Sequence, residues 1–382
     1  MKKRYWVLII LILLIILGGF KVKRYFECDF SIEAGGPAAP RPEYCDAKER
    51  KAQQFQDKQM LDQFNKNIIF QCSVEKKPEL PPETQTLYNY AYYHDLHNLW
   101  EEKDGVWDGL AHYYRIAAAH GDYKANVRLQ YLLEEGKITS ADPRQEVFDL
   151  NKQLSAQLPA TAYYKTYGAI NDGTLTTEEY GQFAFLRKAA ELGSAEAQFE
   201  LSNVIMQIKD EPTHAARLSF SEQLEKCASE NGYGEASNAR GIFLQATKKY
   251  PEALETFQKG IRQGDSSSAS WLKNAFELKL KTQESNSFES MYNLDLDLDL
   301  DRVKRYTTIL DYLFTYDYLN PKVPDLDQIV PLPPAKLPTW DGKIAFQRWY
   351  EGPSPEKPSE ELVEKLAKAK GLDPKTGLPI KK

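Results

Sequence analysis

The sequence predicts an all-α fold: a right-handed α-solenoid of stacked helix-turn-helix repeats, with an N-terminal transmembrane helix and a Pro-rich C-terminal capping segment. Three observations lead there. Four segments align on a turn glycine: YYRIAAAHGDYKANVRL from Tyr113, FLRKAAELGSAEAQFEL from Phe185, LEKCASENGYGEASNAR from Leu224 and TFQKGIRQGDSSSASWL from Thr256. An unbroken apolar run opens the chain, and a proline-studded stretch follows the last copy.

The turn glycines are Gly121, Gly193, Gly232 and Gly264. The wide first gap predicts a worn copy, which QLPATAYYKT (Gln157–Thr166) supplies with Leu158 at the glycine position. Four residues after the turn come Ala125, Ala162, Ala197, Ala236 and Ser268; four before it come Ala117, Ala189, Ala228 and Gly260, with Leu154 the exception. Small flanks let two antiparallel helices approach closely, and the glycine adopts φ > 0 without steric cost. Leu129, Leu201 and Leu272 recur along the second helices, to pack onto the next pair. One pair alone cannot bury its apolar face, so stacking is required. The solenoid is expected over 84–280. These copies resemble the Sel-like repeat, a relative of the tetratricopeptide repeat. That resemblance implies a protein that binds other proteins and does no chemistry itself.

Met1–Arg4 precedes the apolar run Tyr5–Phe20, and Lys21, Lys23 and Arg24 close it. As a helix the run spans about 24 Å at ~1.5 Å per residue, and snorkelling flanks lengthen its reach. Gly18-Gly19 before a basic patch makes a weak cleavage site. Residues 1–24 are therefore expected to be an uncleaved, single-pass inner-membrane anchor with the body in the periplasm. Residues 25–83 read as a linker with a short polar helical segment. Cys28, Cys45, Cys72 and Cys227 form an even set. In an oxidising compartment a Cys28–Cys45 or Cys45–Cys72 bridge would staple the linker. Reduced thiols, with Cys227 a small buried helix residue, are the alternative.

Residues 281–352 are expected to form a C-terminal helical module. Leu296, Leu300, Val303, Tyr306, Leu310 and Leu313 make one apolar stripe at helical spacing. The aspartates before it suit a helix start. Read instead as a calcium loop from Asp295, the stretch puts Leu300 where glycine is required and Tyr306 where the bidentate Glu belongs. Pro324, Pro331, Pro333, Pro334 and Pro338 hold Val323–Leu337 extended. Trp340-Asp341-Gly342 reads as a turn, and Ile344–Trp349 as a short strand or helix. Beyond Gly352, Ser359 caps a short helix through Lys370 with Gly371 as its stop. Otherwise 353–382 reads as a flexible basic tail.

The stretch IVPLPPAKLPTWDGKI resembles the tail of a bacterial C-terminal domain of unassigned function that follows Sel-like repeats. Proteins of that layout are often encoded beside type VI secretion phospholipase effectors, chiefly of the phospholipase D class, and serve as their immunity proteins. The resemblance implies a periplasmic inhibitor whose partner is a secreted phospholipase. It transfers no binding residues.

Lys plus Arg number 49 and Asp plus Glu 55, a formal charge of −6. Such a chain is a poor match to nucleic acid. There is no Gly-x-Ser-x-Gly elbow, phosphate-cradling loop or His-x-Lys pair of the phospholipase D type. His94 and His97 lack a third ligand placed by spacing. No enzyme, cofactor or metal is expected. Candidate partner-binding residues are Tyr113, Tyr114, Tyr163, Tyr164 and Tyr167 on a concave face, with Arg348, Trp349 and Tyr350 in the tail, since aromatic and Arg side chains dominate hot spots. For the tail, capping of the last repeat is preferred over binding. The alternative function is a membrane-anchored envelope scaffold that binds proteins through its repeats. A metalloenzyme at His94/His97 ranks third.

Overall fold

The computed structural model describes residues 69–177, 181–281 and 291–380, with single positions between 51 and 62. The expected anchor over 1–24, together with Cys28 and Cys45, lies outside the described residues. Among the described residues no helix is long and apolar enough to cross a membrane. Contacts divide the chain into two units, Met1–Lys66 and Asn67–Lys382. The second holds fifteen α-helices among its described residues, and its one β-bridge pairs Leu372 with Pro379.

Helix α1 (Pro82–Glu101) leads into five hairpins. They are α2 (Val106–Ala119) with α3 (Tyr123–Glu134), α4 (Pro143–Ser155) with α5 (Pro159–Asn171), and α6 (Gln182–Leu192) with α7 (Ala195–Gln207). Then come α8 (His214–Glu230) with α9 (Gly234–Ala246), and α10 (Tyr250–Arg262) with α11 (Ser266–Lys281). Gly121, Gly193, Gly232 and Gly264 all have positive φ, between 88° and 103°. In three of the four turns the next residue caps the second helix: Asp122 accepts from the Lys124 and Ala125 amides, Ser194 from Ala197, and Asp265 from Ser268. The flanking Ala117, Ala125, Ala189, Ala197, Ala228 and Ala236 are fully buried, so the small columns are where paired helices touch.

The worn copy differs at its turn. Leu158 is itself the N-cap of α5, with φ −128°. Its amide donates to Leu154, four residues back, whereas Asp122, Ser194, Tyr233 and Asp265 each donate five back. This turn is one residue tighter and contains no left-handed position, so no glycine is required. Leu154 and Ala162 still bury.

An extended strap, residues 69–80, crosses the turn edges of the middle hairpins. Cys72 is bonded to Cys227 of α8, with Cα atoms 5.5 Å apart. This pairing overturns both the Cys45–Cys72 bridge and the reduced-thiol reading. The Ser73 carbonyl accepts from Gln198 Nε2 (3.0 Å) and Asn231 Nδ2 (2.7 Å). The Glu75 amide donates to the Gly193 carbonyl at 3.2 Å, and its carboxylate accepts from the Ala160 and Thr161 amides (2.6 and 3.1 Å). Those amides open α5, where the helix dipole favours an anion. A Cβ on Gly193 would lie 2.5 Å from the Glu75 nitrogen, whereas one on Gly232 would meet nothing. Both glycines are left-handed, so alanine at either meets a backbone cost of about 1–2 kcal/mol. Gly193→Ala must also displace the strap. It is expected to lose about 1 kcal/mol more than Gly232→Ala in chemical denaturation; equal losses would deny the strap its place.

Beyond α11, Asp299 caps α12 (Leu300–Thr315) by accepting from the Arg302 amide. Leu296 therefore precedes the helix. The proline stretch lies over the last hairpin: Val323, Leu326, Ile329, Val330 and Ile344 join Phe257, Ile261, Leu272, Phe276 and Tyr306 in one buried cluster. Proline supplies carbonyls but no amide, and α12 uses that. Arg302 donates to the Pro331 and Ala335 carbonyls, and Arg305 to those of Ile329 and Pro338. The short α13 (Leu326–Ile329) interrupts the stretch, and α14 (Ala345–Tyr350) settles the strand-or-helix question as helix.

Residues 353–380 are not a loose basic tail. Ser359 caps α15 (Glu360–Ala369), and Gly371 follows with φ 66°. Val363, Leu366, Ala367 and Leu372 are buried in the cluster of α1 and α2, beside Leu87, Leu110, Ala111 and Ile116. Arg115 Nη1 donates to the Thr376 carbonyl (3.1 Å), His120 Nε2 meets the Leu366 carbonyl (2.9 Å), and Lys365 pairs with Glu83 (2.7 Å). The C-terminal module thus contacts both the last hairpin and the first.

Candidate protein-binding surface

This closure sets α14 against α1, and both helices present rings at i, i+3 and i+4 spacing. His97 is sandwiched: its ring centroid is 4.1 Å from Tyr93 and 4.1 Å from Tyr350. Its two nitrogens approach the Tyr93 and Tyr350 carbonyls at 2.7 and 3.0 Å. The Tyr93 hydroxyl donates to the Gly352 carbonyl at 2.8 Å. Trp349 stacks on Tyr92 (6.2 Å) and meets Tyr93 edge-on (5.7 Å), while Phe346 braces Trp349 from within α14 (5.5 Å). At the end of α1, Trp100 faces Tyr318 at 6.5 Å.

The rings form one surface. Trp100 lies three residues beyond His97 on α1, one turn along the same face, which sets the Trp100–Tyr318 pair beside the His97 sandwich. Trp100 is 83% exposed, Tyr318 42% and Trp349 37%, and the buried Tyr93 ring backs Trp349. Charged groups rim the patch, with Glu101 paired to Lys103 and Glu351 to Lys343. Rigid aromatic anchors within a polar rim are the anatomy of a protein-binding hot spot.

Of the residues singled out in the sequence, Trp349 and Tyr350 sit in this seam. Arg348 turns aside, its guanidinium held by Asp341 (2.8 Å) and Asp325 (3.2 Å). Tyr113 and Tyr114 are core residues, 5% and 0% exposed, and the Tyr114 hydroxyl donates to Asp95 at 2.7 Å; neither presents a surface to a partner. The half-buried Tyr163 packs toward Phe185 of α6, Tyr164 stacks on Tyr167, and the buried Tyr167 donates to Glu200 of α7. Trp100 and Tyr318 escaped the sequence reading, and His97 was weighed there only as a metal ligand. What makes them a surface is contact across more than two hundred residues.

Residues 268–380 match the model of a family described as a domain of unknown function, DUF6396. The match takes in α11, the proline stretch and the lid formed by α15. No curated protein matches the chain. Three solved structures from Pseudomonas aeruginosa resemble it. Immunity protein PA5088 is 22% identical, covers 69% of this chain and 94% of its own, and has a TM-score of 0.50. Immunity protein Pa5087 is 25% identical over 70% and 95% (TM-score 0.48), and PA5086 is 22% identical over 69% and 95% (TM-score 0.48). The likeness to PA5088 is one of fold.

Proposed function

We propose that the chain is an immunity protein that binds and neutralises a type VI secretion phospholipase effector in the periplasm, held at the inner membrane by residues 1–24. The exposed aromatic seam of Trp100, Tyr318 and Trp349 carries this reading: rigid rings on a closed helical scaffold bind proteins with little ordering cost. Three observations support it. PA5088, which shares the fold, is named an immunity protein. The proline- and tryptophan-rich tail resembles domains that accompany phospholipase effectors. The Cys72–Cys227 bond suits an oxidising compartment. Inhibition by occlusion needs no chemistry from the inhibitor, so the protein acts by binding alone.

The test is co-expression with the neighbouring gene's product, exported to the periplasm, following growth and phospholipid release. Restored growth and a complex that survives gel filtration are expected. A phospholipase that stays lethal and elutes apart from this protein would overturn the proposal.

A further inference from the structure

A cavity of about 600 Å³ opens between α1, α2 and the C-terminal lid, a size typical of small-molecule sites. Its floor is aromatic and apolar. Tyr90 meets Tyr113 edge-to-face at 5.3 Å and His94 at 4.5 Å, with Leu110 and Val363 between the helices and the lid. Its mouth carries Lys357, Lys375, Glu360 and Glu364, all exposed. None of these four forms an ion pair among the described residues, although Lys365 on the same helix is paired with Glu83. Two cations and two anions thus share one mouth without neutralising each other.

We infer that this cavity binds a small zwitterion, an ammonium joined by a few bonds to a phosphate or carboxylate. The electron-rich ring of Tyr90, with Glu360 and Glu364 at the mouth, suits the ammonium. Lys357 and Lys375 suit the anionic group. Burial holds the His94 and His112 imidazoles below their ordinary pKa, so at neutral pH neither adds a charge to repel the ammonium. A soluble zwitterion and the headgroup of a phospholipid share this chemistry. The inference is independent of the effector reading, because the cavity faces the lid rather than the aromatic seam.

Gly109 gives the test. It lines the cavity on α2 with ordinary helical φ, and a Cβ there meets nothing within 4 Å. Gly109→Leu therefore adds an apolar side chain at the cavity wall while improving helix propensity. Glycerophosphoethanolamine would be titrated into the full chain by calorimetry, with ethylamine and inorganic phosphate as half-ligands. Saturable one-to-one binding is expected, roughly tenfold weaker for each half-ligand and for Gly109→Leu, whose melting temperature stays level or rises. Lys357→Gln/Lys375→Gln is expected to weaken binding similarly. Co-sedimentation with vesicles of phosphatidylethanolamine in phosphatidylglycerol, against phosphatidylglycerol alone, separates the sources. Ethanolamine-dependent, Gly109→Leu-sensitive sedimentation assigns a lipid headgroup, and binding of the soluble probe alone assigns a free zwitterion. No saturable binding, or binding that Gly109→Leu leaves unchanged, overturns the inference.

Discussion

Asp95→Ala is expected to lower the unfolding free energy by about 3–5 kcal/mol, the range for removing one partner of a buried ion pair. Asp95 is fully buried in α1. Its carboxylate accepts from Trp107 Nε1 (2.8 Å) and the Tyr114 hydroxyl (2.7 Å) of α2, and from Arg128 Nε and Nη2 (2.6 and 2.8 Å) of α3. One side chain thus joins three helices. Truncation leaves a guanidinium, only 17% exposed, facing a void, and two buried donors without an acceptor. Asp95→Asn keeps the volume and one acceptor, so it is expected to lose less. Urea unfolding followed by circular dichroism checks both variants. A loss below about 1 kcal/mol for Asp95→Ala would mean the network is replaced by water or by a new partner.

Removing the Cys72–Cys227 bond is expected to cost about 2–5 kcal/mol. The bonded residues are 155 apart in sequence, and closing a loop of that length restrains the unfolded chain strongly. Reduction should lower the thermal midpoint by several degrees, and Cys72→Ser/Cys227→Ser should reproduce the shift without reductant. The strap keeps its bonds to Gln198, Asn231 and Thr161, so the hairpins remain folded. Identical midpoints with and without reductant would show that the bond contributes nothing.

The hairpins were legible because a left-handed turn position admits glycine almost alone, and because close helix contact admits only small residues. Where the turn tightens by one residue, at Leu158, that signal vanishes while the buried flanks persist. The start of α12 was misplaced by one turn because the leucine stripe continues upstream of Asp299, and the cap rather than the stripe fixes the boundary. The helix of the lid was read from its Ser359 cap and Gly371 stop, but its docking was missed on composition. Lysines and prolines masked Val363, Leu366 and Ala367, whose spacing is that of an amphipathic helix with a face to bury. The aromatic seam was half legible: Trp349 and Tyr350 stood out, but Tyr92, Tyr93 and His97 become their partners, and Tyr318 that of Trp100, only when the chain closes on itself. Likewise the choice of Cys227 for Cys72 depends on where the strap crosses the hairpins, which no local pattern records.

The most direct measurement is the affinity of the proposed phospholipase partner for Trp100→Ala/Trp349→Ala against a Tyr163→Ala/Tyr164→Ala variant. Trp100 is mostly exposed, so its truncation leaves the fold in place. Binding through the seam predicts a loss of about thirtyfold or more for the tryptophan variant, the scale of a hot spot at about 2 kcal/mol, and little change for the tyrosine variant. Unchanged affinity for the tryptophan variant, with the loss appearing in the tyrosine variant, would move the binding face to the solenoid and contradict the seam.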